Sequence, residues 1–385
     1  MKIGLIIIGN EILKGQTQDQ HVEFLAKSLK KGHYYLNEVV MIPDQLEIIT
    51  QTVKEKWNKL DVIITSGGVG PTKDDLTPEA LRKVFPYTLQ EVKNNFGAAS
   101  GFMQFTDNPM KLLMALPGVP REFQGMVLNE LIPKLDSLSK NRPKRKEITI
   151  RTFGIKEETI FFQLCPTLWS DLEQFSKTIS SLPRLTGVDI VIEIEDQKEL
   201  ITKLIQFITS TKLNEYIWHI GDESVEEVII QTCLKNGWTL SFAESCTGGL
   251  ISHLLTNVPQ ASKVLNGSIV SYTNEIKQRL LHIPNELIQS KSVVSLEVAT
   301  IMAENCLTNF KSDFALSITG LAGPPHASDP HPVGTFFVAI AAKNSKTQSF
   351  EFSFHNPGKT EANRQTLKQR FALKALLTLL KSMKN

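Results

Sequence analysis

The stretch "LDVIITSGGVGPTKDDLTPEALRKVF", residues 60–85, contains an apolar run, a glycine-rich turn and a helical pattern in succession. The apolar run is typical of a strand buried on both faces. The segment that follows predicts a helix, with Thr77 as its N-cap and Pro78 in the first helical position. Strand, glycine turn and helix in this order predict a doubly wound α/β domain, which binds ligands at the carboxyl ends of its strands.

The same alternation extends along the chain. "IGLIIIG" near the start predicts a buried strand, and "DQHVEFLAKSLKKG" predicts a helix. The polar, basic stretch "KNRPKRKEI", residues 140–148, predicts a domain boundary. The resulting prediction is an α/β protein: an α/β domain over 1–145, a small α+β linker domain over 146–218 and a second α/β domain over 222–385.

Composition excludes several classes of protein. The chain has 385 residues, 41% of them hydrophobic and 21% charged, as expected for a soluble globular protein. A net charge of +2 provides no strong field for nucleic acid or an anionic membrane, so neither is an expected partner. No stretch approaches the roughly 20 apolar residues of a membrane span, and the first residues lack the pattern of a signal peptide. Four scattered cysteines without a CxxC pair predict neither a disulfide framework nor a zinc site, and are consistent with a reducing cytoplasm.

The stretch "FAESCTGGLISHLL", residues 242–255, places three candidate nucleophiles side by side: Ser245, Cys246 and Thr247. They follow a predicted strand and precede a predicted helix, where free backbone N–H groups favour anions and developing oxyanions. Two alternatives remain open from the residues alone. Ser245 or Thr247 could simply cap the helix, and Cys246 could be a small buried hydrophobe.

Two further motifs follow strands of the same unit. "GSIVSYTNEIKQRLL" predicts a strand and then a helix carrying Tyr272, Asn274 and Lys277. A lysine in a desolvated pocket can serve a serine as general base, although a surface charge is the alternative. In "LSITGLAGPPHASDPHPVGT" a strand is predicted to end at Thr319, and Gly320 would let the backbone approach a ligand.

Together "AESCTGG", "YTNEIK" and "SITGLAGP…HPVGT" resemble the CinA C-terminal domain, the nicotinamide-nucleotide amidase (PncC-like) family, over about 222–385. The resemblance implies hydrolysis of the carboxamide of nicotinamide mononucleotide (NMN) to nicotinate mononucleotide and ammonia, without a cofactor. It implies Ser245 as nucleophile, Lys277 as base and Tyr272 as its support, and suggests a homodimer. The expected substrate-binding residues are Thr247, Gly248, Gly249, Asn274, Thr319, Gly320 and Arg364. Where the family usually has an acidic residue and two arginines, the chain has "GKTEANR", which keeps Gly358 and Arg364.

The glycine turn of the opening stretch offers backbone N–H groups to a phosphate, and two carboxylates follow at once. Paired carboxylates beside a phosphate cradle invite a divalent cation, which would be bound by Asp74 and Asp75. The alternative is a helix-start loop whose two acids complement the helix dipole.

The string "TSGGVGPTKDDLT" resembles the MoaB/MogA-like molybdopterin-binding fold of CinA N-terminal domains, as do "GNEILKGQTQDQH" and "ALPGVPREFQGM". The resemblance implies metal-dependent hydrolysis of ADP-ribose at its pyrophosphate. The expected ligand and metal residues are Gly67, Gly68, Gly70, Thr72, Asp74, Asp75, Glu11 and Asp19. The family usually spends more residues than the 39 positions from Thr77 to Leu116, so a shortened, binding or dimerising remnant is an alternative. A non-catalytic partner in competence or DNA-damage processing is the alternative for the whole chain.

Overall fold

The structure is a computed structural model that describes residues 1–72, 75–139, 145–176, 178–325, 331–354 and 363–384. The chain divides into two compact units, Met1–Lys146 and Glu147–Asn385. Both are built from mixed α/β structure, and the described residues form three sheets. Within these ranges no helix combines the length and apolar character needed to cross a membrane.

The first unit is a six-stranded sheet with the strand order β2-β1-β3-β6-β5-β4. The strands are β1 (Ile3–Ile8), β2 (Leu36–Ile42), β3 (Val62–Ser66), β4 (Gln90–Val92), β5 (Gly101–Asp107) and β6 (Met110–Leu116). The helices are α1 (Asn10–Leu13), α2 (His21–Lys31), α3 (Leu46–Lys59), α4 (Thr77–Val84), α5 (Pro120–Met126) and α6 (Ile132–Leu138), the last two joined by a π-helical turn at Val127–Leu131. Pairing is parallel from β2 to β6 and antiparallel at β5 and β4.

Alternating side chains of β1 point to opposite faces of this sheet, because successive residues of a strand do so. Leu5 and Ile7 join the core against α2 and α5, whereas Ile6 and Ile8 join the core against α3 and α4. Both faces of the sheet are therefore covered, and every residue of β1 and β3 is buried.

The predicted N-cap of α4 is wrong. The helix has Leu76 in the N-cap position and begins at Thr77 itself. The Thr77 side chain is fully buried and its Oγ1 donates to the carbonyl oxygen of Gly67 at 3.0 Å. The hydroxyl therefore ties the helix to the preceding loop instead of capping it.

The second unit contains two sheets, of which the smaller has the order β10-β7-β9-β8. Its strands are β7 (Arg145–Thr152), β8 (Ile179–Pro183), β9 (Val188–Glu195) and β10 (Ile217–Ile220). Its helical segments are α7 (Glu157–Thr159), a π-helical turn at Ile160–Leu164, α8 (Leu168–Leu172), α9 (Lys198–Ser210) and a 3₁₀ turn at Lys212–Tyr216.

The larger sheet of this unit has the order β12-β11-β13-β14-β15. Its strands are β11 (Leu240–Glu244), β12 (Leu265–Val270), β13 (Phe314–Gly320), β14 (Thr335–Ala342) and β15 (Gln348–Ser353). The helical segments are α10 (Val225–Asn236), α11 (Leu250–Thr256), a 3₁₀ turn at Ala261–Lys263, α12 (Asn274–Leu281), α13 (Asn285–Lys291), α14 (Leu296–Phe310) and α15 (Arg364–Ser382). Strand β11 lies between β12 and β13 and is parallel to both, so the carboxyl ends of β12, β11 and β13 meet at one end of the sheet.

Candidate active site

Ser245 lies where β11 ends, directly after the buried carboxylate of Glu244. That carboxylate accepts hydrogen bonds from the backbone N–H groups of Ile251 and Ser252, at 3.0 and 2.9 Å, and from the Ser252 hydroxyl at 2.6 Å. The first turn of α11 is thus satisfied by Glu244, and no side chain occupies its N-cap position. The alternative in which Ser245 or Thr247 serves as the cap is therefore wrong.

Lys277 approaches Ser245 from α12. Its Nζ lies 2.9 Å from the Ser245 Oγ and 2.6 Å from the carbonyl oxygen of Ser271. Only 1% of Lys277 is exposed to solvent. The alternative of a surface charge is wrong, because the fold buries this amine next to a serine hydroxyl.

Burial sets the protonation of this lysine. Desolvation lowers the Lys277 pKa from 10.5 to about 8, while the neighbouring Cys246 opposes the shift. About a tenth of the molecules then carry the neutral amine at pH 7. A neutral amine donates to the Ser271 carbonyl and accepts the proton of the Ser245 hydroxyl, which is the arrangement of a general base with its nucleophile.

Cys246 is 6% exposed, and burial raises the pKa of its thiol to about 12. A thiol with that pKa yields almost no thiolate at neutral pH, and the thiolate is the nucleophilic form. Cys246 therefore fits the small buried hydrophobe of the sequence alternatives, and Ser245 is the better-placed nucleophile.

A cavity of about 270 Å³ opens in front of the Ser245 hydroxyl. Two cations line it within the described residues, Lys277 and Arg364. Arg364 is exposed and donates to the hydroxyl oxygen of Tyr272 at 2.7 Å and to the carbonyl oxygen of Gly323. Tyr272 is 57% exposed, so this pair stands at the mouth of the cavity while Lys277 lies at its base.

The structure brings most of the predicted substrate-binding residues to this cavity. Its lining includes Asn274, Thr319, Gly320 and Arg364 but not Thr247, Gly248 or Gly249. Tyr272 precedes α12 instead of lying on it, contrary to the predicted helix, which begins at Asn274. Of the "GKTEANR" segment, 358–362 lie outside the described residues, so its altered positions are not placed.

Thr247, Gly248 and Gly249 form the turn after Ser245 and do not line the cavity. The Gly248 N–H donates to the Ser245 carbonyl at 3.1 Å, and the N–H of Ser245 donates to Ile318 at 3.1 Å. Thr247 is fully buried and Gly249, with φ of 93°, is the N-cap residue of α11. Neither the Ser245 amide nor the Gly248 amide is therefore free to stabilise an oxyanion.

Two residues of the site, Ser271 and Glu244, were not predicted from the sequence. Ser271 acts through its backbone carbonyl, which leaves no trace in the type of side chain. Glu244 had a signal, since an acid that ends an otherwise buried strand must be satisfied by donors nearby.

In the first unit, the glycine-rich loop follows β3. Gly67 and Gly68 have φ of 99° and 65°, and a Cβ on Gly67 would lie 2.1 Å from the Ile8 carbonyl oxygen. The predicted residues Gly67, Gly68, Gly70, Thr72 and Asp75 all lie in this loop. Its glycines let the chain pass tightly over the end of β1.

The carboxylates of this region make local contacts. The Asp75 carboxylate accepts hydrogen bonds from the backbone N–H of Thr72, at 2.8 Å, and from its hydroxyl. Asp19 accepts from the first N–H groups of α2, and Glu11 lies on α1. Asp74 lies outside the described residues.

A divalent ion needs several oxygen ligands. The described ranges contain no group of three or more histidine, cysteine, aspartate or glutamate side chains able to bind a metal. The described side chains therefore form no cluster of this kind, Asp74 lies outside them, and the predicted metal-dependent activity stays a prediction.

Comparison with known proteins agrees with this architecture. Residues 222–383 match the family model of the CinA C-terminal domain, and residues 4–137 match that of a probable molybdopterin binding domain. A CinA-like protein of Fervidobacterium nodosum is 32% identical, over 89% of this chain and 91% of its own length. A putative competence-damage inducible protein of Caldicellulosiruptor bescii is 31% identical, over 91% and 93%.

The chain belongs to the CinA family. Among solved structures, the competence/damage inducible protein CihA from Agrobacterium tumefaciens is 30% identical, covers 42% of this chain and 94% of its own, and has a TM-score of 0.39. Membership in this family establishes two α/β domains of the expected kinds.

Proposed function

We propose that this CinA-family chain is a nicotinamide-nucleotide amidase that converts NMN and water to nicotinate mononucleotide and ammonia. The observation that carries the proposal is the 2.9 Å contact between the Lys277 Nζ and the Ser245 Oγ inside a buried site. An amide needs a nucleophile for its carbonyl carbon and a proton for its leaving nitrogen. A serine paired with a desolvated lysine supplies both.

The reaction proceeds in two balanced steps. Ser245 attacks the carboxamide carbon as its proton passes to neutral Lys277, and Lys277 then protonates the departing nitrogen, so that ammonia leaves and an ester to Ser245 remains. Water enters, gives a proton to Lys277 and attacks the ester, and the Ser245 hydroxyl is restored with that proton. Lys277 therefore begins and ends each cycle neutral.

The shape and charge of the cavity support a nucleotide substrate. A volume of about 270 Å³ accommodates the nicotinamide end, and Arg364 at the mouth offers its guanidinium to a phosphate outside. With the Ser245 amide already used, we assign oxyanion stabilisation to the side-chain amide of Asn274, the neutral donor of α12 that lines the cavity.

The test is ammonia release from NMN, nicotinamide riboside and nicotinamide by the full chain. Amidase activity that falls in this order supports the proposal, since the riboside lacks the phosphate for Arg364. Equal rates with NMN and the riboside would show that the phosphate does not contribute to substrate recognition. Absence of ammonia from all three, with a folded protein, would favour the non-catalytic partner reading. AMP release from ADP-ribose across several divalent metals tests the separate prediction for the first unit.

A further inference from the structure

A second cavity of about 450 Å³ lies in the second unit, away from Ser245. One wall comes from Phe153 and Trp218 of the smaller sheet region, and another from Phe352 of β15. Helix α15 contributes Lys374 and Lys381. We call this space the aromatic–lysine cavity. It shares no lining residue with the cavity at Ser245.

The Lys374 ammonium sits among aromatic rings. Its Nζ lies 4.0 Å from the centre of the Phe153 ring and 4.3 Å from that of Phe352. In the described part of the chain neither the Lys374 Nζ nor the Lys381 Nζ forms a hydrogen bond or an ion pair with an acidic side chain. The rings offset part of the cost of desolvating the ammonium, but its charge stays unneutralised.

The charge of the residues that line this cavity favours an anion. Among the described residues, three lysines line it, Lys374, Lys381 and Lys384, together with one carboxylate, that of Glu215. Aromatic side chains form much of the remaining lining, including Trp218 and, at the same wall as Phe352, Phe350. Flat apolar walls with a few convergent charges are the usual make-up of a small-molecule site, and the volume falls within the range of about 300–1,000 Å³ for such sites.

We propose that the aromatic–lysine cavity is a second ligand site, which binds a small planar aromatic anion of the nucleoside monophosphate class. The base stacks on the aromatic wall at Trp218, and the phosphate accepts hydrogen bonds from Lys374 and Lys381. The site is independent of the proposed amidase reaction, because its residues take no part there.

The electrostatic state of Lys374 supports this assignment. Burial, with a contribution from Lys381, lowers the Lys374 pKa to about 8. A partly buried cation beside a second cation is unfavourable until an anion joins it. A bound phosphate provides that partner and stabilises the protonated form of the amine.

The test is calorimetric titration of the full chain with AMP, adenosine and inorganic phosphate, near pH 7. AMP is expected to bind saturably, and adenosine and phosphate each more weakly by about tenfold or more, since each lacks half of the contacts. The double variant Lys374→Gln/Lys381→Gln should weaken AMP binding by about tenfold or more, as expected for lost charge-assisted hydrogen bonds. Lys235→Gln, an exposed lysine on α10, is the matched control and should leave binding unchanged.

A second variant tests the binding of the base separately from that of the phosphate. Trp218→Leu should weaken AMP while leaving phosphate binding within about twofold of the parent, since the ring stacks only on the base. Three results would overturn the proposal: no saturable AMP binding at millimolar concentration, AMP binding unaffected by the double lysine change, or AMP binding abolished by Arg364→Gln. The last would place AMP at the cavity of Ser245 instead.

Discussion

Replacing Lys277 with methionine should make the second unit more stable while it disables the proposed amidase site. The lowered pKa, from 10.5 to about 8, means that folding with a protonated Lys277 costs about 3 kcal/mol at pH 7. Methionine keeps the apolar stem and removes that cost. It also removes the hydrogen bonds to Ser245 and Ser271, each worth about 1 kcal/mol. The net expectation is a gain of about 1 kcal/mol in the free energy of unfolding.

The gain should depend on pH in a defined direction. Between pH 8 and 10.5 the unfolded parent chain holds a proton on Lys277 that the folded chain has lost, so the parent becomes more stable as pH rises. The methionine variant has no such group and does not share this rise. Its advantage at pH 7 should therefore disappear, and then reverse, as pH approaches 10.5.

Urea unfolding at pH 7 and pH 10 measures this difference. With Trp57→Phe in both chains, the remaining tryptophans, Trp169, Trp218 and Trp238, all report on the second unit. Lys235→Met, at an exposed site, is the control and should stay within about 0.5 kcal/mol of the parent. Two results would refute the reasoning about a desolvated amine. The first is a Lys277→Met chain that is less stable than the parent at pH 7. The second is a difference in the free energy of unfolding between the two chains that does not change with pH.

Three further substitutions probe the rest of the structure. Glu244→Gln should lower the free energy of unfolding of the second unit by about 1–3 kcal/mol in urea, because an amide NH₂ replaces an oxygen that now accepts helix N–H groups. Gly68→Ala should lower the melting temperature of the first unit more than Gly15→Ala; both glycines have positive φ, but only at Gly68 would the new Cβ lie 2.5 Å from Thr77 Oγ1. Arg364→Gln should raise the KM for NMN by about tenfold or more and change kcat little, since the guanidinium contributes to substrate binding. An unchanged KM would show that Arg364 does not bind the phosphate.

The fold could be predicted well because its signals are local. The run "VIITS" of β3 begins with three consecutive apolar residues, which predict a strand covered on both faces. The glycines after it marked the loop, and Gly67 and Gly68 do adopt the positive φ that only glycine tolerates easily. The start of α4 was misplaced because the Thr77 hydroxyl is committed to a contact across the loop that the local pattern does not reveal.

The site could be predicted only in part because it depends on tertiary burial. Nothing local separates Lys277 from the exposed lysines of the chain; packing of α12 against β11 and α14 decides its environment. The motif resemblance predicts Ser245 and Lys277 as site residues, and the structure places the Lys277 Nζ 2.9 Å from the Ser245 Oγ. The aromatic–lysine cavity could not be predicted from the sequence, because Phe153, Trp218 and Lys374 are far apart along the chain.

The most direct test of the account is the kcat/KM for ammonia release from NMN in three chains: the parent, Ser245→Ala and Cys246→Ala. The account predicts that Ser245→Ala lowers it by at least about 10³-fold, as for loss of a catalytic nucleophile, while Cys246→Ala stays within about tenfold of the parent. Retained activity in Ser245→Ala, or a loss in Cys246→Ala as deep as that expected for the serine, would contradict the assignment of Ser245 and Lys277 as the catalytic pair.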